Sequence, residues 1–165
     1  MIEIYCDGSA RNNGKENNCG GWGLAIFKNE TLIDYFGEQV ENTTNNRMEL
    51  IALLKALEIS QKNKDEEVII YSDSAYCVNI FNEWIWGWAA KNWIRANNKP
   101  IENLDLIKQL WKYRNIEWEN FQIKKISGHT GIIGNEIADA VATQNENKLK
   151  TIFKKKTTFP SYMKI

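Results

Sequence analysis

Glu67-Val68-Ile69-Ile70-Tyr71-Ser72-Asp73 places its apolar residues at consecutive rather than alternate positions. A strand of that kind is central and covered on both faces, so helices are expected above and below it. Behind it, Met48, Ile51, Ala52, Leu54, Leu57 and Ile59 trace a helical stripe preceded by Thr43-Thr44-Asn45-Asn46, which predicts a capped helix from about Asn45 to Gln61. Farther back, Ile2-Glu3-Ile4-Tyr5-Cys6 alternates until Asp7-Gly8-Ser9 breaks the pattern, giving a first strand that ends at Asp7. The apolar runs Cys19–Phe27 and Thr31–Gly37, joined by Lys28-Asn29-Glu30, read as a hairpin, so strands one to three form an antiparallel meander. Ahead of the opening strand come a short helix at Ala75–Phe81, a tryptophan-rich stretch over residues 82–100, a helix at Asn103–Arg114, a strand at Phe121–Ile126 and a last helix at Asn135–Asn145. The class is α/β: a five-stranded mixed sheet, three antiparallel strands and then strand and helix alternation, flanked by helices.

With 165 residues and 43% apolar content, the chain can bury one core without disulfides or structural metals. Nothing at the N-terminus resembles a signal peptide and no apolar run approaches a membrane span, so a cytoplasmic protein with no membrane partner is expected. Cys6, Cys19 and Cys77 lack zinc-site spacing and read as reduced, partly buried thiols. The net charge is zero, but it is unevenly spread. Lys148 to Ile165 holds six lysines and no acid, leaving residues 1–147 with a balance of −6. Residues 84–99 carry Lys91, Arg95 and Lys99 and no acid. The lysine-rich tail, residues 147–165, reads as a solvated, fraying terminus.

Four acids stand where the chain turns from strand to loop or lies on a helix: Asp7, Glu49, Asp73 and Asp139. Singly, Asp7 before Gly8 suits a turn, Glu49 a solvated helix face and Asp73 before Ser74 a helix cap. Together they point elsewhere. Converging carboxylates raise one another's pKa, and a fold gathers them where divalent cations neutralise them. His129, the one histidine, lies between Gly128 and Gly131, and imidazole is suited to moving protons near neutral pH.

Five blocks in order resemble the type 1 ribonuclease H family, which cuts the RNA strand of RNA–DNA hybrids. They are Asp7-Gly8-Ser9; Thr44-Asn45-Asn46-Arg47-Met48-Glu49-Leu50; Tyr71-Ser72-Asp73-Ser74-Ala75-Tyr76; the tryptophan-rich stretch with Asn103-Leu104-Asp105-Leu106; and Gly128-His129-Thr130-Gly131 through Asn135-Glu136-Ile137-Ala138-Asp139. The resemblance covers residues 1–146 and implies an RNase H-like catalytic domain. It implies an endoribonuclease that leaves 5′-phosphate and 3′-hydroxyl ends, with two Mg2+ ions per site in the presence of substrate and Mn2+ as a substitute. Such ions, about 4 Å apart, assist in-line attack of water on the phosphodiester. The resemblance also implies that Asp7 bridges both ions, Glu49 and Asp73 hold one, Asp139 helps hold the other, and His129 assists proton transfer or product release.

The same resemblance assigns hybrid contacts to Gly8, Ser9, Asn13 and Asn45, and a DNA-strand phosphate to Thr44. It makes residues 82–100 a basic handle for the DNA strand, gripping through Trp84, Trp88, Lys91, Trp93 and Lys99, with at least one of these tryptophans in the core. A monomer that binds the hybrid duplex is expected. Two departures from the family pattern are Asn12-Asn13-Gly14 in place of Asn-Pro-Gly, and Ala75 where many relatives have glutamine, which removes a minor-groove hydrogen bond. A non-catalytic hybrid-binding module with the same fold is the alternative, but it usually requires a lost acid. A transposase or integrase core also gathers carboxylates, yet lacks the handle and the histidine loop.

Overall fold

The computed structural model describes residues 1–11, 18–114 and 121–155. Its strands are β1 (Ile2–Arg11), β2 (Cys19–Lys28), β3 (Thr31–Glu41), β4 (Val68–Ser72) and β5 (Phe121–Lys125), lying in the order β3-β2-β1-β4-β5. The pairs β1–β2 and β2–β3 are antiparallel, whereas β4 runs parallel to β1 and β5 parallel to β4. This is the mixed sheet expected from the sequence. Lys28 and Thr31 pair across Asn29 and Glu30, whose φ angles of 48° and 67° make the two-residue turn that matches the twist of the flanking strands.

The helices are α1 (Asn45–Gln61), α2 (Ala75–Asn79), α3 (Ile85–Ala90), α4 (Leu104–Arg114), α5 (Ile133–Ala142) and α6 (Glu146–Lys155). Thr44 caps α1, its hydroxyl accepting from the Arg47 N–H at 3.1 Å. Strand alternation then divides the core. Ile2, Ile4 and Cys6 of β1 join Met48, Leu53 and Leu57 of α1 in the larger cluster, while Tyr5 packs on the opposite face with Ala25, Phe27 and Ile137 of α5. Helices therefore cover both faces, and Val68, Ile69 and Ile70 of β4 are all buried, as their unbroken apolar run requires.

Three expectations are corrected. The first strand does not end at Asp7. It pairs with β2 as far as Arg11 opposite Cys19, and only the parallel pairing with β4 stops, at Cys6 opposite Ser72. The second helix does not stop at Phe81 either. A π-helical turn, Ile80–Trp84, carries α2 into α3, because Ile80, Phe81 and Ile85 are buried and leaving the helix there would unpack them. Finally, the tail is not a fraying coil up to Lys155. It forms α6, whose Leu149, Ile152 and Phe153, spaced for one helical face, pack on the smaller cluster, with the Phe153 ring centroid 5.4 Å from that of Tyr35. The last residues of the tail, 156–165, lie outside the described residues. Among the described residues no helix is long and apolar enough to cross a membrane.

Candidate active site

The parallel register between β1 and β4 brings two acids together. Cys6 pairs with Ser72, so the residues that follow, Asp7 within β1 and Asp73 just past the end of β4, emerge beside each other. A row behind them, Tyr5 and Tyr71 stack with ring centroids 4.8 Å apart. This is where strand order reverses, with β2 on one side of β1 and β4 on the other, the place where open α/β sheets leave a crevice outside the strand ends.

Glu49 arrives from α1. At Gly8 the two elements approach so closely that a Cβ would run into the backbone of Met48 and Glu49, so glycine is required by space. Ligand atoms of Asp7, Glu49 and Asp73 all lie within 4.8 Å of one another. Asp139 stands on α5, which meets β2 at Gly23, where a Cβ would run into the Ala138 carbonyl. It borders Asp7 but lies outside the set of three. Its Oδ2 takes the Lys148 ammonium of α6 at 2.6 Å, and the same nitrogen is 2.6 Å from Glu136 Oε2.

Concentrated negative charge dominates the electrostatics. Asp7 is 5% exposed, and its carboxyl is pushed up to about 8 by burial first and then by Asp73 and Asp139, against a hydrogen bond from the Gly8 N–H at 2.9 Å. Glu49 is pushed up to about 10, again by burial first and then by Asp7 and Asp73. Burial also works against the Lys148 ammonium, but its hydrogen bonds to Asp139 and Glu136 prevail and raise its pKa. Glu49 Oε2 is buried with no hydrogen-bond partner among the described residues. An unpartnered carboxylate oxygen in a ring of carboxylates is a hard-cation donor set, and the residues present fit such an ion.

Two neighbours of Asp73 belong to the fifth block but had no role assigned from the sequence. Asn135, buried on α5, donates from Nδ2 to Asp73 Oδ2 at 3.4 Å. Its signal was present in the spacing, since Asn135 and Asp139 are four apart and share the helix face turned to the sheet. Gly128 backs on Asp73, where a Cβ would lie 2.8 Å from Oδ2. This brings the loop of His129 against the carboxylates, with His129 exposed in the left-handed region at φ 56°.

Of the expected substrate contacts, Gly8 is buried and Ser9 half-buried on β1, while Thr44 is occupied as the α1 cap. Asn45 does not cap the helix. Its Oδ1 accepts from the Ala10 N–H at 2.6 Å and ties the start of α1 to the far half of β1. Asn13, with the Asn12-Asn13-Gly14 departure, lies outside the described residues.

The tryptophan stretch is partly helix and partly loop. Trp88 and Trp93 pack against the larger core cluster, whereas Trp84 is 43% exposed. Trp93 and Trp86 both meet Trp111 of α4 edge-on, with ring centroids 6.0 and 5.3 Å away, and the Arg114 guanidinium sits 5.0 Å from the Trp86 ring. Exposed Lys91 and Arg95 line a groove of about 350 Å³ together with Trp84 and Trp88; Lys99 is also exposed. Arg47 of α1, two residues before Glu49, pairs with Asp105 of α4 through both guanidinium nitrogens at 3.0 and 2.9 Å, joining the base of this stretch to the helix that carries Glu49.

Comparison with known proteins agrees with this geometry. The RNase H family model matches residues 1–147. Ribonuclease H of Ruthia magnifica subsp. Calyptogena magnifica is 38% identical over 153 residues, spanning 91% of this chain and 98% of that protein. Ribonuclease HI of Rickettsia conorii (strain Malish 7) is 37% identical over 153 residues, spanning 93% of this chain and 95% of that protein. Among solved structures, LC9-RNase H1, a type 1 RNase H with the type 2 active-site motif, superimposes with a TM-score of 0.66 at 28% identity, covering 88% of this chain and 72% of that one. The carboxylates at the β1–β4 junction, the shared fold and these near full-length matches establish that the chain belongs to the RNase H family.

Proposed function

We propose that this chain is an endoribonuclease that hydrolyses the RNA strand of RNA–DNA hybrids at the Asp7–Glu49–Asp73 cluster, leaving 5′-phosphate and 3′-hydroxyl ends. One observation carries the reading: in a chain of this family, the buried Glu49 Oε2 has no hydrogen-bond partner among the described residues and stands in a ring of acids. Such a ring is stable with all its members ionised only when cations enter it.

Asp7, Glu49 and Asp73 would hold divalent cations, with Asp139 completing the second position; Mg2+ is the expected ion and Mn2+ its substitute. Bound there, such ions supply Lewis-acid activation of water and neutralise charge developing at the phosphate. The remaining work belongs to the protein. Asn135 donates to the Asp73 carboxylate, and Gly128, with no side chain, leaves that carboxylate the room it occupies. Gly8 and Ser9 follow Asp7 along β1 and Asn45 stands at the start of α1, so short polar groups and backbone meet a minor groove whose 2′-hydroxyls distinguish RNA from DNA; Asn13 is assigned to the same groove. Thr44 at the α1 N-terminus is suited to a DNA-strand phosphate. Exposed His129, on the loop that packs against Asp73, accepts or delivers a proton without holding the ions. Exposed Trp84 with Lys91 and Lys99 would grip the DNA strand, and Trp88 and Trp93, half-buried against the larger core cluster, would add only what they leave exposed. The chain would act as a monomer in the cytoplasm, a reducing compartment that three free cysteines suit.

The test is a cleavage assay on labelled RNA–DNA hybrid, duplex RNA, single-stranded RNA and duplex DNA, with magnesium or EDTA and with Asp73→Asn as the control. The expected result is magnesium-dependent cutting of the hybrid's RNA strand alone, absent in the variant. Tight hybrid binding without cutting would move the chain to the class of binding modules.

A further inference from the structure

Lys148 reaches the edge of the carboxylate cluster from outside the family match, which ends at residue 147. Its Nζ bridges Glu136 Oε2 and Asp139 Oδ2, both at 2.6 Å, and those acids lie three residues apart on one face of α5. The three side chains are only 24%, 19% and 19% exposed, so the bridge is half-sheltered and screened less than a surface pair. Asp139 faces Asp7 on one side and Lys148 on the other. It is also the one expected acid whose carboxylate stands outside the group of three.

The position of Lys148 is built rather than incidental. Gln144, at φ 51°, turns the chain between α5 and α6, and Leu149, Ile152 and Phe153 then dock α6 on the smaller core cluster. That docking delivers the residue just before Leu149 to α5.

We propose that Lys148 is a built-in, displaceable counter-cation: its ammonium occupies Asp139 and Glu136 in the ion-free protein and competes with the divalent cation that Asp139 would help to hold. The inference rests on the metal-dependent reading of the site. Lys148 is a positioning residue, acting through Asp139 rather than on substrate. Removing its charge leaves two neighbouring carboxylates without their ammonium and makes that side of the cluster a better cation site. Arginine retains the positive charge and reaches two carboxylates through a planar fork, so it preserves the competition.

Calorimetric titration of the full chain with Mn2+ alone, without nucleic acid, tests this. Lys148→Met is expected to bind Mn2+ about three- to tenfold more tightly than the parent, the factor implied by losing two partly screened ion pairs. Lys148→Arg should match the parent. Added Mn2+ should also raise the melting temperature of Lys148→Met more than that of the parent, a readout independent of turnover. Phe153→Ala loosens the α6 anchor without changing any charge and should shift Mn2+ affinity in the same direction by less, so the test survives if Lys148→Met folds poorly. Equal or weaker Mn2+ binding in Lys148→Met, or tightening in Lys148→Arg as large as in the methionine variant, overturns the proposal while leaving the metal site standing. Absence of Mn2+ binding in every variant and in the parent overturns the metal reading as well.

Discussion

Replacing Asp7 with asparagine should stabilise the protein when divalent ions are withheld. In the folded chain the Asp7 carboxyl is pushed up from an ordinary 3.8 to about 8, chiefly by burial. At pH 7 the unfolded chain carries Asp7 ionised, so folding must place a proton on it. The 3.2 pH units between 3.8 and neutrality correspond to about 4 kcal/mol at 1.36 kcal/mol per unit. Asparagine has the shape of the protonated acid and needs no proton, so Asp7→Asn recovers about 2–4 kcal/mol, or about 10 °C in melting temperature for a domain of this size. The sign in pH follows from the raised value. The stability associated with Asp7 is complete below about pH 4 and is lost as pH rises through about 8, and Glu49, raised to about 10, acts in the same direction. Thermal unfolding in EDTA at pH 4, 5.5, 7 and 8.5 should therefore show a small gain for the variant at pH 4 that grows to a plateau above pH 8. Saturating magnesium should shrink the gain, because cations bound by the parent stabilise it. A variant no more stable than the parent at pH 7 in EDTA, or a gain that is largest at pH 4, would refute the assignment of Asp7 as a buried, proton-holding member of the cluster.

Other perturbations probe the same geometry. Gly8→Ala forces a Cβ into the Met48–Glu49 backbone and should cost about 2–3 kcal/mol by chemical denaturation while lowering hybrid cleavage, since Glu49 is displaced; an unchanged midpoint would show that α1 gives way freely. His129→Ala should lower turnover strongly yet leave measurable activity, whereas Asp73→Asn abolishes it, and equal losses would remove the ranking of metal ligand over proton shuttle. Hybrid affinity should weaken from low to physiological salt, less steeply than in a strongly basic relative, because Lys91, Arg95 and Lys99 are the cations of the handle. Affinity insensitive to salt would dismiss the handle as a phosphate grip.

Periodicity and turn chemistry made most elements legible, because they are local. The alternation of Ile2–Cys6, the stripe from Met48 to Ile59 with Thr44 before it, and the unbroken Val68-Ile69-Ile70 run each encode a period and a boundary within a few residues. Asp7, Glu49, Asp73 and Asp139 stood out for the same reason, at element ends or on a helix within ordered blocks. Tertiary structure decided the rest. Asp7 and Asp73 are neighbours because β1 and β4 are parallel with Cys6 opposite Ser72, a register that no local pattern specifies. The strand continues past Asp7 because β2 remains its partner, and the helix runs into the tryptophan stretch because Ile80, Phe81 and Ile85 find a core. Lys148, read as one lysine of a solvated tail, meets Asp139 only after Leu149, Ile152 and Phe153 have docked α6 on the sheet side of the fold. Sequence spacing reports the faces of single elements; which faces meet is set by burial between elements distant along the chain.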